Sequence, residues 1–278
     1  MPAPPSVSVI LSTYEASDLL EKSLCGFAIQ QYRDFDIVIA DDGSGPRTKE
    51  RIDRLREDLD LQIHHVWHED RGFRKTAILN RAVLATESEY LIFTDGDCIP
   101  RSDFIEVHMR LREAHSYLVG GYFKLPRHVS ESLGREAILA GRATDPDYLR
   151  SLGLPLSRKE IRLRVGPRLA PLLDRVTTSN RRWKGHNVSG WRTDLMQVNG
   201  FDERMTYGLE DVELGERLLN LGIRGRQIRH RAICVHLWHE RGYVDDAELS
   251  ANRHILEETK RSGRIWTAYG LAKSAAAS

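Results

Sequence analysis

Neither sign of charge dominates this sequence. Lys and Arg total 41 against 40 Asp and Glu in 278 residues, so the net field is weak and bulk nucleic-acid binding is excluded as the main activity. Cysteine is scarce. Cys25, Cys98 and Cys234 lie far apart and form no Cys-x-x-Cys pair, which excludes a zinc knuckle or disulfide framework and suits a reducing compartment. Long apolar runs are missing too: no stretch approaches the roughly 20 residues a helix needs to cross a bilayer. Met1-Pro2-Ala3-Pro4-Pro5 has no basic region and no apolar core behind it, so a secretory leader is not expected. A cytoplasmic protein is expected, with peripheral contact to the inner face of a membrane left open. No low-complexity linker divides the chain, and its length suits a large core, so 1–278 reads as a single domain.

What is present is alternation. Val7-Ser8-Val9-Ile10-Leu11-Ser12-Thr13 is β-branched and apolar and predicts a first strand. Ser17 opens a helical pattern with Leu20, Leu24 and Phe27 on one face. Phe35 to Ala40 predicts a second strand, Thr48 to Leu59 a charged helix, Leu61 to Trp67 a third strand and Lys75 to Thr86 a helix. Tyr90-Leu91-Ile92-Phe93 then reads as a buried strand. Strand and helix at short intervals imply βαβ units, hence an α/β fold with a mostly parallel sheet. The second half is less regular. Phe104 to Ala114 predicts a helix and Tyr117 to Phe123 a strand, and residues 124–180 hold amphipathic pieces without a repeat. Helices are expected over Asp194 to Val198, from Gly208 through Leu221 and over about Asp246 to Arg261, with a strand over Ile228 to His236 and a loose end over Ala272 to Ser278.

Five loops carry chemistry-bearing residues. The most informative is Thr94-Asp95-Gly96-Asp97, at the C-terminal mouth of the Tyr90 strand. Ligands of open α/β sheets sit at that mouth, and an Asp-x-Asp there offers hard oxygens to Mg²⁺ or Mn²⁺. Its ordinary reading is a solvated turn. Ser12-Thr13-Tyr14-Glu15 and Asp41-Asp42-Gly43-Ser44 follow the first two strands. They offer donors and carboxylates to a nucleoside, or serve only as turns. No Gly-x-Gly-x-x-Gly is present, so a Rossmann pyrophosphate turn is unsupported. Arg74 and Lys75 place cations at a helix N-terminus, a conflict with its dipole that an anion would relieve. In Tyr207-Gly208-Leu209-Glu210-Asp211 two acids open a helix, where they cap it or supply a general base. His236-Leu237-Trp238-His239 could complete a metal site begun by Asp97, though a lone histidine is more often structural.

Taken together, and in this order, Val7–Glu15, Val38–Ser44, Gly72–Ala82, Tyr90–Pro100 and Gly185–Leu219 resemble the family 2 glycosyltransferases of the GT-A fold. The stretch from Gly190-Trp191 through Asn199-Gly200-Phe201-Asp202-Glu203 to Gly208–Leu214 is similar to the acceptor-side module of the chondroitin-polymerase and β-galactosyltransferase kind. The resemblance implies a Rossmann-like, mostly parallel central sheet flanked by helices. A nucleotide-sugar half would cover about 6–100, and an acceptor and catalytic-base half about 101–265. It also implies a nucleotide diphosphate sugar donor, usually with UDP, and Mn²⁺ or Mg²⁺ as cofactor. Thr13, Tyr14 and Glu15 would line the nucleoside pocket, Asp42 the base, and Lys75 the base or phosphate edge. Asp95 and Gly96 would meet the ribose or a metal-bound water, with Asn187 and Gly190 near the donor sugar. Asp97 would bind the metal with His236 or His239, a choice the sequence leaves open. Asp211 would be the base of an inverting transfer, with Glu210 and Trp191 on the acceptor, a saccharide or glycolipid hydroxyl of the bacterial surface-polysaccharide kind.

The chain departs from processive synthases: it lacks their membrane helices and a Gln-x-x-Arg-Trp signature, of which Asn180-Arg181-Arg182-Trp183 is a distant echo. The basic residues from Arg158 to Arg168 could meet an anionic acceptor or a leaflet, or be a solvated helix face. Two rival functions remain. A sugar-nucleotide-forming nucleotidyltransferase would want a Gly-rich basic loop after the first strand, where this chain has Thr13-Tyr14-Glu15-Ala16. A non-catalytic nucleotide-sugar-binding protein would not need the carboxylates at 95, 97 and 211.

Overall fold

The structure is a computed structural model and describes residues 4–177, 181–240 and 245–272. The Ala-rich end beyond Ala272 and Asn180 of the distant Trp183 echo lie outside the described residues. Among the described residues are ten strands: β1 (Val7–Thr13), β2 (Asp36–Asp41), β3 (Ile63–Trp67), β4 (Tyr90–Asp95), β5 (Cys98–Pro100), β6 (Ser116–Val119), β7 (Gly121–Lys124), β8 (Val188–Trp191), β9 (Arg224–Gln227) and β10 (Ile233–His236). Helices α1 (Ser17–Ala28), α2 (Pro46–Asp58), α3 (Lys75–Leu84) and α4 (Phe104–Leu111) belong to the regular first half. Five short ones follow, α5 (Arg127–Ser132), α6 (Arg135–Leu139), α7 (Pro146–Ser151), α8 (Ile161–Arg164) and α9 (Ala170–Val176). The chain ends with α10 (Arg192–Gln197), α11 (Glu210–Asn220) and α12 (Asp246–Ser262).

Seven strands form one sheet in the order β3-β2-β1-β4-β8-β6-β9, and β5-β10-β7 form a second. β3, β2, β1 and β4 run parallel, as expected of strands buried on both faces. β8 runs antiparallel to β4 and β6, so a strand of the second half is inserted beside the Asp-x-Asp strand. One buried cluster packs α1, α2 and α4 on one face of the large sheet. A second packs α3, α11 and Trp183 on the other, and a third joins the small sheet to the short helices. The registers matter for the site. Thr13 pairs with Asp41 and Ser12 with Asp95, so three strands end together.

Two expected strands are different in fact. Tyr117 to Phe123 is not continuous: it breaks at Gly120 into β6 and β7, in different sheets. The glycines permit the crossing, because a Cβ on Gly120 would sit 2.1 Å from Asn187 Oδ1 and one on Gly121 2.0 Å from the Arg229 carbonyl. Ile228 to His236 is also shorter, since Ala232 turns back to bond Ile228 and only Ile233–His236 is strand. The unforeseen β9, Arg224-Gly225-Arg226-Gln227, has no apolar alternation that would reveal it.

Candidate active site

A cleft of about 990 Å³ opens at the C-terminal ends of β1, β2 and β4. Of the expected donor residues, Thr13, Tyr14, Glu15, Asp42, Lys75, Asp95 and Gly96 line it, and so do Asp97, His236 and His239. The β1 loop is fixed by its neighbours: Gly45 N–H donates to Glu15 Oε1 at 2.6 Å and Glu15 N–H to Ser44 Oγ at 2.9 Å. Glu15 adopts φ +46° in doing so. Asp42 is buried, with His68 Nε2 2.7 Å from Oδ1 and Arg74 N–H donating to Oδ2 at 3.0 Å. Burial pushes its carboxyl up, against the pull of those donors. Asp41 is engaged in the same way by His65 and Ser44 N–H.

Asp95 is the centre of the polar arrangement. Lys75 Nζ donates to its Oδ1 at 2.6 Å and Ser12 Oγ at 2.8 Å. Burial opposes its charge, but the Lys75 ammonium with His186 and Ser12 prevails and holds it below the usual carboxylate range. Gly96 N–H donates to Ser12 O at 2.8 Å, and a Cβ there would come within 3.0 Å of that oxygen. Glycine is what lets the loop turn over β1 so closely.

Asp97 faces two imidazoles. His239 Nε2 is 3.2 Å and His236 Nε2 3.7 Å from Asp97 Oδ2. Each ring puts its Nδ1 against a carbonyl, His236 on Leu237 O at 2.8 Å and His239 on Glu240 O at 2.9 Å. A carbonyl only accepts, so both Nδ1 atoms carry hydrogen and both rings turn Nε2 toward the same carboxylate. That convergence needs a proton or a cation between the groups. Imidazole and carboxylate suit a divalent transition metal such as Mn²⁺, and second-shell carbonyls on Nδ1 orient such ligands. The residues therefore fit a metal. Burial pushes the Asp97 carboxyl up, His236 and His239 oppose this, and Asp95 adds to it. Both imidazoles face Asp97.

Glu210 and Asp211 open α11 behind two residues of positive φ, Gly208 at +96° and Leu209 at +72°. A leucine there is strained, by about 1 kcal/mol or more. Asp211 accepts from Gly185 N–H at 3.2 Å and Val212 N–H at 2.7 Å. Burial pushes its carboxyl up, and burial with the Asp211 charge pushes Glu210 up to about 7. These acids do not line the cleft itself, but they share the charge of Lys75. Burial opposes the Lys75 ammonium, yet Asp95, Glu210 and Asp211 together hold its pKa above the usual range. Inside the molecule, Arg217 donates to both oxygens of Glu213 at 2.9 and 3.0 Å and to Gly200 O at 2.7 Å, and also binds Val198 O. That pair ties α11 to the turn after α10.

Besides Glu210 and Asp211, three further expected residues are absent from the cleft lining. Trp191 pairs with Tyr90 at the far end of β4 from Asp95, packs on the Tyr90 ring at 5.2 Å and donates Nε1–H to Glu113 O. Its role is packing, because β8 runs antiparallel and carries it away from the strand's mouth. Gly190 faces Leu91 and lies under Trp183, whose ring would be 3.3 Å from a Cβ. Asn187 is fully buried, donating to Gly121 O at 2.7 Å and Ala232 O at 3.2 Å while Oδ1 meets His108 Nε2 at 3.0 Å. It joins the two sheets beneath the site. His186 was missed. Its ring lies 4.4 Å from that of Tyr122, and burial pushes it down to about 4, against the pull of Asp95, so it is neutral at physiological pH. Only its place beside Asn187 could have singled it out. Ser12, His65 and His68 were not given these partners either, since their contacts arise from strand register.

Residues 8–137 match the family described as glycosyl transferase family 2, and 175–240 match the N-terminal domain of galactosyltransferase. Validoxylamine A glucosyltransferase from Streptomyces hygroscopicus subsp. jinggangensis is 29% identical over 229 residues, 79% of this chain and 52% of that protein. Chondroitin synthase from Escherichia coli is 25% identical over 80% of this chain and 33% of its own length. The chain thus spans about half of the first of these relatives and a third of the second. Among solved structures, GalNAc-T7 with UDP, GalNAc and Mn²⁺ superposes with a TM-score of 0.65 at 13% identity, covering 93% of this chain and 48% of that one. At that identity the likeness concerns the fold.

Proposed function

We propose, for a chain that belongs to the family 2 glycosyltransferases and has the GT-A fold, an inverting transfer of one sugar from a nucleotide diphosphate donor to a saccharide or glycolipid hydroxyl. The donor nucleotide, UDP in this reading, occupies the cleft lined by Thr13, Tyr14, Glu15 and Asp42. Lys75 and Asp95 orient its ribose and phosphates. Asp97, His236 and His239 would hold Mn²⁺ or Mg²⁺, which when bound neutralises charge on the departing diphosphate. Asp211 takes the proton of the acceptor hydroxyl as its oxygen bonds the anomeric carbon from the face opposite the leaving group. The anomeric C–O bond breaks and its electron pair leaves with the nucleoside diphosphate. Glu210 holds the acceptor. The reaction runs in the cytoplasm, at the inner face of a membrane where the acceptor is a glycolipid, in surface-polysaccharide synthesis.

The observation that carries this reading is the single ammonium of Lys75, 2.6 Å from Asp95 and within the field of Glu210 and Asp211. Donor-side and base-side carboxylates share one charge. A nucleotidyltransferase fits less well, because the loop after β1 is Thr13-Tyr14-Glu15-Ala16, acidic and without glycine. Incubation with Mn²⁺ and a panel of UDP- and GDP-sugars tests the choice. Release of nucleoside diphosphate supports transfer or its hydrolytic side reaction. Release of pyrophosphate from a nucleoside triphosphate and a sugar phosphate supports the rival, and neither product supports a binding protein.

A further inference from the structure

Residues 155–176 differ from the rest of the surface. Leu156 is 82% exposed, Ile161 52%, Leu169 61%, Leu172 57% and Val176 62%. Leu169, which caps α9, and Leu172 and Val176 within it follow one another at helical spacing, while Ala170 and Asp174 are buried. The segment has two carboxylates, and neither reaches solvent. Glu160 is buried between Arg150, at 2.6 Å, and Arg164, at 2.7 Å. Asp174 is buried against His230 Nδ1 at 2.9 Å and Arg231 Nε at 2.7 Å. Every exposed charge on 155–176 is therefore positive, and Arg158, Lys159, Arg168 and Arg175 make no ion pair among the described residues.

Exposed aliphatic side chains among exposed cations, with no exposed carboxylate within 155–176 and one from α7, Asp147, paired with Arg164 at 2.5 Å, complement one kind of partner. Apolar groups enter the acyl boundary of a bilayer while Arg and Lys meet anionic headgroups. A second copy of the same face would be repelled by its own charge. We propose that residues 155–176 form a docking face that seats Leu156, Ile161, Leu169, Leu172 and Val176 in an anionic lipid surface. The face is anchored from beneath by Leu163 in the core and by Arg162, which donates to Tyr122 O at 2.9 Å. The Tyr122 ring lies 6.0 Å from that of His236. The docking face is thus tied through β7 to the strand pair that carries His236, and a lipid-borne acceptor would arrive by lateral diffusion. This deepens the glycolipid reading of the acceptor. Vesicle binding needs neither donor nor metal, so failure of docking and failure of the transferase reading are separate results.

Flotation with phosphatidylcholine vesicles, with and without phosphatidylglycerol, tests the proposal. The native chain is expected to float with the anionic vesicles and to be released by salt. Leu169→Ser with Leu172→Ser, and separately Arg168→Glu with Arg175→Glu, are each expected to weaken that binding about tenfold or more. Nucleoside diphosphate release in solution is expected to stay unchanged in both. A dye on Leu172→Cys, with Cys25, Cys98 and Cys234 buried, is expected to shift to the blue on anionic vesicles, which keeps the test open if a serine variant fails to fold. Native protein indifferent to phosphatidylglycerol, variants that bind as the native chain does, a dye that does not shift, or a native dimer that the serine variant dissociates would each overturn the docking face.

Discussion

Glu210 titrates near neutrality because burial and the Asp211 charge push its carboxyl up to about 7. An acid whose folded pKa lies above its unfolded one stabilises the fold fully at low pH and loses that contribution as pH rises through the folded value. Glu210→Gln is therefore expected to raise the melting temperature at about pH 8 and much less at about pH 5, read by thermal denaturation across pH. Asp211→Asn cannot take the acceptor proton. Its kcat is expected to fall by about 10²–10⁴, with UDP affinity by calorimetry nearly unchanged; full turnover would remove the base assignment. At this scale the sequence showed the donors and acids, because Asp-Asp-Gly-Ser, Asp-x-Asp and Glu-Asp stand at the ends of readable elements. It could not show that His65 and His68 serve Asp41 and Asp42, since residues more than 20 apart meet only through the β2–β3 pairing.

The helix that carries Glu210 and Asp211 depends on an ion pair of which nothing reaches solvent. Glu213 and Arg217 are both 0% exposed, and Thr259 of α12 donates its hydroxyl to Glu213 at 2.9 Å. Arg217→Met leaves the buried carboxylate with Thr259 and the more distant Arg264, 3.8 Å away, in place of its bidentate cation, a loss of about 3–5 kcal/mol. At a few degrees per kcal/mol, calorimetry should find the melting temperature roughly 10 °C lower. Arg217→Met combined with Glu213→Leu is expected to recover much of that, because two apolar groups of similar bulk leave no charge stranded. If the single variant melts as the native chain does, the pair is not what holds α11. The helical spacing of 210–220 was readable, and the break between β6 and β7 and the strand β9 were not. Gly120 and Gly121 mark a passage between sheets only once Asn187 and the Arg229 carbonyl are seen within 2.1 Å of where their Cβ atoms would be. β9 is too polar to signal itself.

For the molecule as a whole, a ligand that binds only the native state raises its melting temperature by mass action. With UDP and Mn²⁺ each at about 100 times its dissociation constant, stabilisation of about 3 kcal/mol or more is expected. That corresponds to a shift of roughly 5–10 °C for a domain of this size. Neither component alone should match the pair, because a metal on Asp97 would be shared with the diphosphate. Asp97→Ala is expected to lose the Mn²⁺-dependent part of the shift and keep the UDP part. An equal shift in that variant would dissociate Asp97 from the metal.

The sequence by itself determined the parallel βαβ half, the loops at its strand ends and the family, because apolar periodicity and short motifs are local and survive without knowledge of contacts. Tertiary structure alone decided which candidates meet. It drew His236 and His239 together on Asp97 through β10, set Lys75 on Asp95 within the field of Glu210 and Asp211, and sent Trp191 to the far end of β4. The physical reason is register: an antiparallel strand inserted into a parallel sheet reverses which end of it reaches the cleft, and no spacing along the chain encodes that choice.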